Sequence, residues 1–132
     1  MFQEGGEGDA ALVAPVSVRA QLDHGVHGHR QERAVLGGQL GDGSYTARVI
    51  PVAVTGLSGV VAVDAGAYHN LALRNDGTVW AWGFNRNGQL GNNSSVNSAV
   101  PVAVSNLGSV RAIAGGGEFA LALREDGTVW AW

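Results

Sequence analysis

The feature that most constrains this chain is an internal repeat. Residues 38–82 align with residues 88–132 at a constant offset of 50, without a gap, and 24 of the 45 aligned pairs are identical. Identity is concentrated in Gly38-Gln39-Leu40-Gly41 with Gly88-Gln89-Leu90-Gly91, Pro51 to Val54 with Pro101 to Val104, and Leu71 to Arg74 plus Asp76 to Trp82 with Leu121 to Arg124 plus Asp126 to Trp132. A fixed period of this size is the mark of an architecture assembled from stacked copies of one supersecondary unit.

The unit reads as short strands. Val60 to Ala65 is apolar and β-branched, His69 to Arg74 and Thr78 to Trp82 follow it, and Val100 to Val104 closes the set. Asp76-Gly77 and Asp126-Gly127 sit between apolar runs and predict tight hairpins of type I′, with positive φ at both central residues. Glycine, 21 of 132 residues against only three prolines, fits many turns. Four strands per repeat with no helical period between them predict an all-β fold in which each repeat is a four-stranded antiparallel meander. Period-two patterning places Leu71 and Leu73 on one face and Trp80 and Trp82 on one face, with Ala72 and Ala81 turned away from them. A sheet apolar on both sides cannot bury itself, and stacking on its neighbours around an axis makes it a β-propeller blade. Trp80, Trp82, Trp130 and Trp132 are accordingly expected in the core.

The stretch Leu71 to Gly91, LALRNDGTVWAWGFNRNGQLG, preceded by Ala65-Gly66-Ala67-Tyr68-His69, resembles the repeat of the regulator-of-chromosome-condensation family. The strand ending Trp80-Ala81-Trp82-Gly83, followed by Asn85 and Gly88-Gln89-Leu90-Gly91, carries the resemblance, which extends over residues 38–132. It implies a seven-bladed propeller of which this chain holds about two blades. The repeats run over 38–87 and 88–132, and the second stops at Trp132 where the first continues into Gly83, so a longer parent is expected. Residues 1–37 are atypical: where the offset calls for strands, the sequence is Gln21-Leu22-Asp23-His24-Gly25-Val26-His27-Gly28-His29-Arg30. That segment fits a poorly ordered or degenerate blade, or a stretch translated out of frame.

Several kinds of chemistry are excluded or disfavoured. All eight basic residues are arginine, against 11 acidic ones, so neither a strongly basic nucleic-acid surface nor a P-loop lysine is present. There is no cysteine for a disulfide, thiolate metal site or thiol nucleophile. The longest early apolar run, Ala10 to Val16, is far short of the ~20 residues of a membrane-spanning helix. Asp23, His24, His27 and His29 are of metal-binding type, but glycine and arginine interleave them and no regular element holds them together. Gly83 to Gly88 has glycine spacing without Lys-Ser/Thr or a following helix, and no serine lies in a nucleophile elbow. No enzyme activity, metal or cofactor is expected.

The positions at which the repeats differ point elsewhere. Of 21 differences, eight fall in Asp42 to Ile50 and seven in Val63 to Asn70. In a meander the first-to-second and third-to-fourth strand loops emerge at one end, while the Asp-Gly hairpins and the links Thr55 to Gly59 and Ser105 to Ser109 emerge at the other. Variation therefore gathers on one loop face of a rigid scaffold. The expected function is a non-enzymatic module that binds a protein partner through that face, with Tyr68, His69, Arg86, Asn87, Asn92, Asn93, Glu118 and Phe119 as contacts. Leu71, Leu73, Asp76, Gly77, Trp80, Trp82, Asp126, Gly127, Trp130 and Trp132 are structural. The family resemblance also implies a second reading, guanine-nucleotide exchange on a small GTPase through acidic and histidine side chains, for which Glu118 and His69 are the available equivalents. No nucleic-acid or membrane partner is expected, and the isolated chain, lacking the rest of a propeller, is expected to self-associate.

Overall fold

A computed structural model describes residues 37–132, so the histidine-rich stretch and nearly all of the atypical N-terminal segment lie outside the described residues. Seven strands occur in chain order: β1 (Val60–Ala65), β2 (His69–Arg74), β3 (Val79–Gly83), β4 (Ser98–Ala103), β5 (Val110–Gly115), β6 (Ala120–Arg124) and β7 (Val129–Ala131). They form two sheets, β1-β2-β3-β4 and β5-β6-β7, each antiparallel and each in sequence order. The fold is all-β and propeller-type, with two blades. β1 and β2 begin and end where the residue pattern puts them. β3 starts one residue later than expected, and β4 two residues earlier.

The sheets stack through the alternation of side chains. Leu71, Leu73, Val79 and Ala81 lie on the face of the first sheet that meets Val110, Ala120 and Ala122 of the second, with Leu90 and Val104 completing a buried cluster and Trp132 packed against it. Ala72 and Trp82 lie on the opposite face and close a second cluster with Val54 and Val60, flanked by Leu57 and Val63. These clusters are the same interface in two copies, because Val54, Val60, Ala72 and Trp82 recur at offset 50 as Val104, Val110, Ala122 and Trp132. Burying each Leu or Val side chain is worth about 1.5–3 kcal/mol, so the stacking of one sheet on the next is the main source of stability.

Two expectations need correcting. The Asp-Gly hairpins are not type I′. Gly77 donates to the Arg74 carbonyl at 3.0 Å and Arg74 to the Thr78 carbonyl at 2.9 Å, with Gly77 at φ 83° and Asp76 outside the left-handed region. That is a type I turn over Asn75-Asp76 followed by a left-handed glycine bulge, and Arg124 to Thr128 repeats it with Gly127 at φ 85°. The aspartate braces the turn through its side chain instead. Its Oδ1 accepts from the backbone N–H of Thr78 at 3.0 Å and from its hydroxyl at 2.6 Å. These bonds hold its carboxyl below the usual carboxylate range.

The four tryptophans also divide. Trp82 is fully buried, and Trp132 packs on the inter-sheet cluster. Trp80 is half-buried beneath the Arg74 guanidinium, while Trp130, beneath Arg124, is 46% exposed rather than in the core. Trp80 lies on a strand backed by β4 through its pairing with Ala103, whereas β7 pairs with β6 alone among the described residues.

Candidate interaction face

The structure sorts the connections into two ends. At one, the β1–β2 loop (66–68), the β3–β4 loop (84–97) and the β5–β6 loop (116–119) meet. Ala67 donates its N–H to the Gly117 carbonyl at 3.1 Å, Phe84 donates to the Tyr68 carbonyl at 2.9 Å, and the Tyr68 and Phe84 rings lie 5.5 Å apart. Asn87 Nδ2 donates to Glu118 Oε1 across the two blades. At the other end the hairpins meet the interblade links, with Val110 N–H on the Gly77 carbonyl at 3.0 Å and Arg74 Nε on the Ser58 carbonyl at 2.9 Å. An open groove also lies there, between the Asp76-Gly77 hairpin and Ser109-Val110-Arg111.

The expected contact residues fall into three groups. Arg86, Asn87, Asn93, Glu118 and Phe119 are exposed. Tyr68 is half-buried, with its ring tilted against Phe84. Asn92 is half-buried and its Oδ1 accepts from Asn85 Nδ2 at 3.1 Å, so it faces its own loop. His69 is withdrawn from the contact set, because its ring is 1% exposed and lies between the blades.

The position of His69 follows from local geometry. Its ring rests on Gly66, where a Cβ would come within 2.2 Å of its Cε1, and Phe119 rests on Gly116 in the same way, 2.3 Å from a Cβ there. A glycine three residues before the ring is therefore a steric requirement of both loops. Neither ring nitrogen of His69 has a well-formed hydrogen bond. Burial pushes its pKa down to about 4, against the opposing influence of the Phe119 backbone and the Asp64 carboxylate. Of the two side chains the nucleotide-exchange reading draws on, this one is shut away as a neutral ring and Glu118 stays exposed.

Two further residues position the face and were not among the contact residues expected from the sequence. Asn85 is fully buried. Its Nδ2 donates to the Ser94 and Val96 carbonyls at 2.9 and 3.0 Å, and its Oδ1 accepts from Leu90 N–H at 2.9 Å. One side chain thus ties together a long loop without regular structure, satisfying backbone groups that burial would otherwise strand. Asp64 Oδ2 accepts from Gly115 N–H at 2.7 Å and clamps the ends of β1 and β5 together. The first carried a signal, lying between the strand end Trp80-Ala81-Trp82-Gly83 and Gly88-Gln89-Leu90-Gly91 in the stretch that carries the family resemblance. Asp64 carried none, since the aligned residue is Ala114.

Comparison with known proteins is consistent with this geometry. A family model described as the regulator of chromosome condensation (RCC1) repeat matches residues 37–73 and 76–123, well over half of the chain, and a second model of the same description matches 60–89. No curated protein matches. Among solved structures, human WBSCR16 is similar at TM-score 0.55 and 27% identity, over 67% of this chain and 23% of that one. Yeast RCC1 (Prp20), solved bound to Kap60, is similar at TM-score 0.51 and 28% identity, over 61% of this chain and 19% of that one. The chain thus spans about a fifth of the length of either.

Proposed function

The chain belongs to the regulator of chromosome condensation (RCC1) repeat family, and on that premise we propose that it is a non-enzymatic interaction module whose loop face binds a protein partner. The observation that carries this reading is the contrast within that face. Arg86, Asn87, Asn93, Glu118 and Phe119 are exposed, while Asn85, Asp64 and His69 fix the loops from below. A rigid base under variable, exposed polar and aromatic groups suits recognition of a protein surface, in which a few aromatic and arginine anchors carry most of the affinity. Yeast RCC1, to which this chain is similar, is itself bound to the protein Kap60 in its crystal structure, which is in keeping with a protein partner.

The test is directional. A photoreactive side chain at Arg86 is expected to crosslink a specific protein in cell extract, and one at Glu125, on the hairpin end, is not. Equal labelling from both ends, or none from Arg86 in a chain with unchanged circular dichroism, overturns the assignment.

A further inference from the structure

Outside the two runs that mark the loop face, the repeats differ at positions 55, 56, 58, 59, 61 and 75, and all of these belong to the hairpin end. Several of them meet in one place. The groove between the Asp76-Gly77 hairpin and Ser109-Val110-Arg111 has a volume of about 450 Å³, within the roughly 300–1,000 Å³ usual for small-molecule sites. Its frame is Leu73, Arg74, Asp76, Gly77 and Val110, which the repeats share as Leu123, Arg124, Asp126, Gly127 and Val60. The rest of its lining, Val61, Asn75, Ser109, Arg111 and Glu125, falls entirely at positions where the repeats differ. An unvarying frame with varied walls is how a rigid scaffold presents a binding site.

Local structure sets these walls. The register shifts between Val60 and Ala62 in β1 and between Val110 and Ala112 in β5, and these bulges leave Val61 and Arg111 outside the ladder. Val61 is 62% exposed with the second blade beside it, and Asn75 is exposed too, so openness is a property of these positions within a blade. Ser109 holds φ 55° where the first repeat has Gly59 at φ 67°. A side chain is thus kept on the groove wall in a backbone region that glycine enters more readily. The Val110 N–H on the Gly77 carbonyl at 3.0 Å and the Glu125 N–H on the Ser109 carbonyl at 2.7 Å fasten the walls together.

The charges of the frame are engaged: Arg74 donates to the Ser58 carbonyl and lies over Trp80, and Asp76 accepts from Thr78. Those of the second blade's wall are not. Arg111 and Glu125 are exposed and have no ion pair or side-chain hydrogen bond among the described residues. One groove therefore presents an unpaired cation and an unpaired anion from one blade and the apolar Val61 from the other.

We propose that this groove binds a small zwitterion with an apolar body, an α-amino acid of the leucine type. Its carboxylate would lie on Arg111, whose guanidinium offers two parallel N–H donors, its ammonium on Glu125 and its side chain against Val61. A carboxylate alone would leave Glu125 without a counter-charge, and an amine alone would leave Arg111 without one, so a molecule carrying both is the complement of the wall. Solvent screens both ion pairs in an open groove, and the expected Kd is on the order of millimolar. The site is separate from the loop face and its ligand is not a protein, so the crosslinking contrast between Arg86 and Glu125 is unaffected.

Saturation-transfer NMR, read on the ligand with the full 132-residue chain, compares L-leucine with isocaproate, which lacks the ammonium, isoamylamine, which lacks the carboxylate, and glycine, which lacks the apolar body. Leucine is expected to bind saturably and more tightly than the others, by about two- to fivefold for each lost charge. Arg111→Gln is expected to lower leucine to the level of isoamylamine, Glu125→Gln to that of isocaproate, and Val61→Ser to that of glycine, while Arg111→Lys retains the preference for leucine over isoamylamine. In the unsubstituted chain, raising the salt to about 1 M, where charges are screened over about 3 Å, should reduce leucine's advantage over both single-charge analogues. Binding of either analogue as tight as that of leucine, an advantage indifferent to salt, folded variants that change nothing, or no saturable binding of leucine in the millimolar range would each overturn the inference.

Discussion

At the scale of single residues, the buried imidazole of His69 makes the stability of this chain depend on pH in a defined window. Its pKa lies near 4 in the folded chain, chiefly through burial, against 6.5 for a free histidine. Above pH 6.5 the ring is neutral whether the chain is folded or not, and the fold keeps its full stability. As the pH falls from 6.5 towards 4, the unfolded chain takes up a proton that the folded chain refuses, so stability declines, by at most on the order of 3 kcal/mol. The melting temperature is expected to drop across that window. His69→Phe, which installs the residue found at the aligned position 119, is expected to flatten the profile between pH 6.5 and 4. A slope unchanged by the substitution would place its source in another group. Asp42, Asp76 and Asp126, whose carboxyls are held below the ordinary carboxylate range, add their losses only at lower pH. That position 69 holds a ring could be read from the sequence. That the ring is enclosed could not, because part of the enclosure, at the Phe119 backbone, comes from the neighbouring blade.

Among the elements, the two hairpins offer a controlled comparison. Gly77 and Gly127 have nearly the same φ, 83° and 85°, and the same local hydrogen bonds, but different surroundings. A Cβ on Gly77 would lie 3.1 Å from the backbone of Ser109, whereas one on Gly127 would meet nothing within 4 Å. Gly127→Ala is expected to cost only the left-handed backbone penalty, about 1–2 kcal/mol. Gly77→Ala adds displacement of Ser109, and with it the Val110 N–H bond to the Gly77 carbonyl, so its cost is expected to be larger. Chemical denaturation of the two variants measures the difference, and equal losses would mean that the hairpin and the link do not touch. Strand positions were legible because alternation and β-branching recur every 50 residues. The turn type was not legible from Asp-Gly, since the pair serves equally as the end of a type I turn with a glycine bulge, and the Thr78 contacts to the aspartate favour that form.

For the whole molecule, the decisive asymmetry lies between two identical stretches. Leu71-Ala72-Leu73-Arg74 and Leu121-Ala122-Leu123-Arg124 have one sequence, yet Leu71 and Leu73 are buried while Leu121 and Leu123 are only partly covered. Native-state hydrogen exchange in dilute solution is expected to protect the amides of 71–74 more strongly than those of 121–124, because opening the second sheet uncovers less apolar surface. Equal protection in dilute solution would mean that the two sheets open as one unit.

The amino-acid sequence by itself determined the repeat, the strands, the positions of the hairpins and the family resemblance. All of these depend on local alternation and on comparison of the chain with itself. It also marked the loops in which the two copies differ. Tertiary structure decided which face of each sheet is covered, that His69 is enclosed while Arg86 and Glu118 stay open, and that Trp82 is core and Trp130 is not. The physical reason is common to all of these: a sheet two-sided in apolar character takes its burial from its neighbours, and the two repeats, nearly alike in sequence, have different ones.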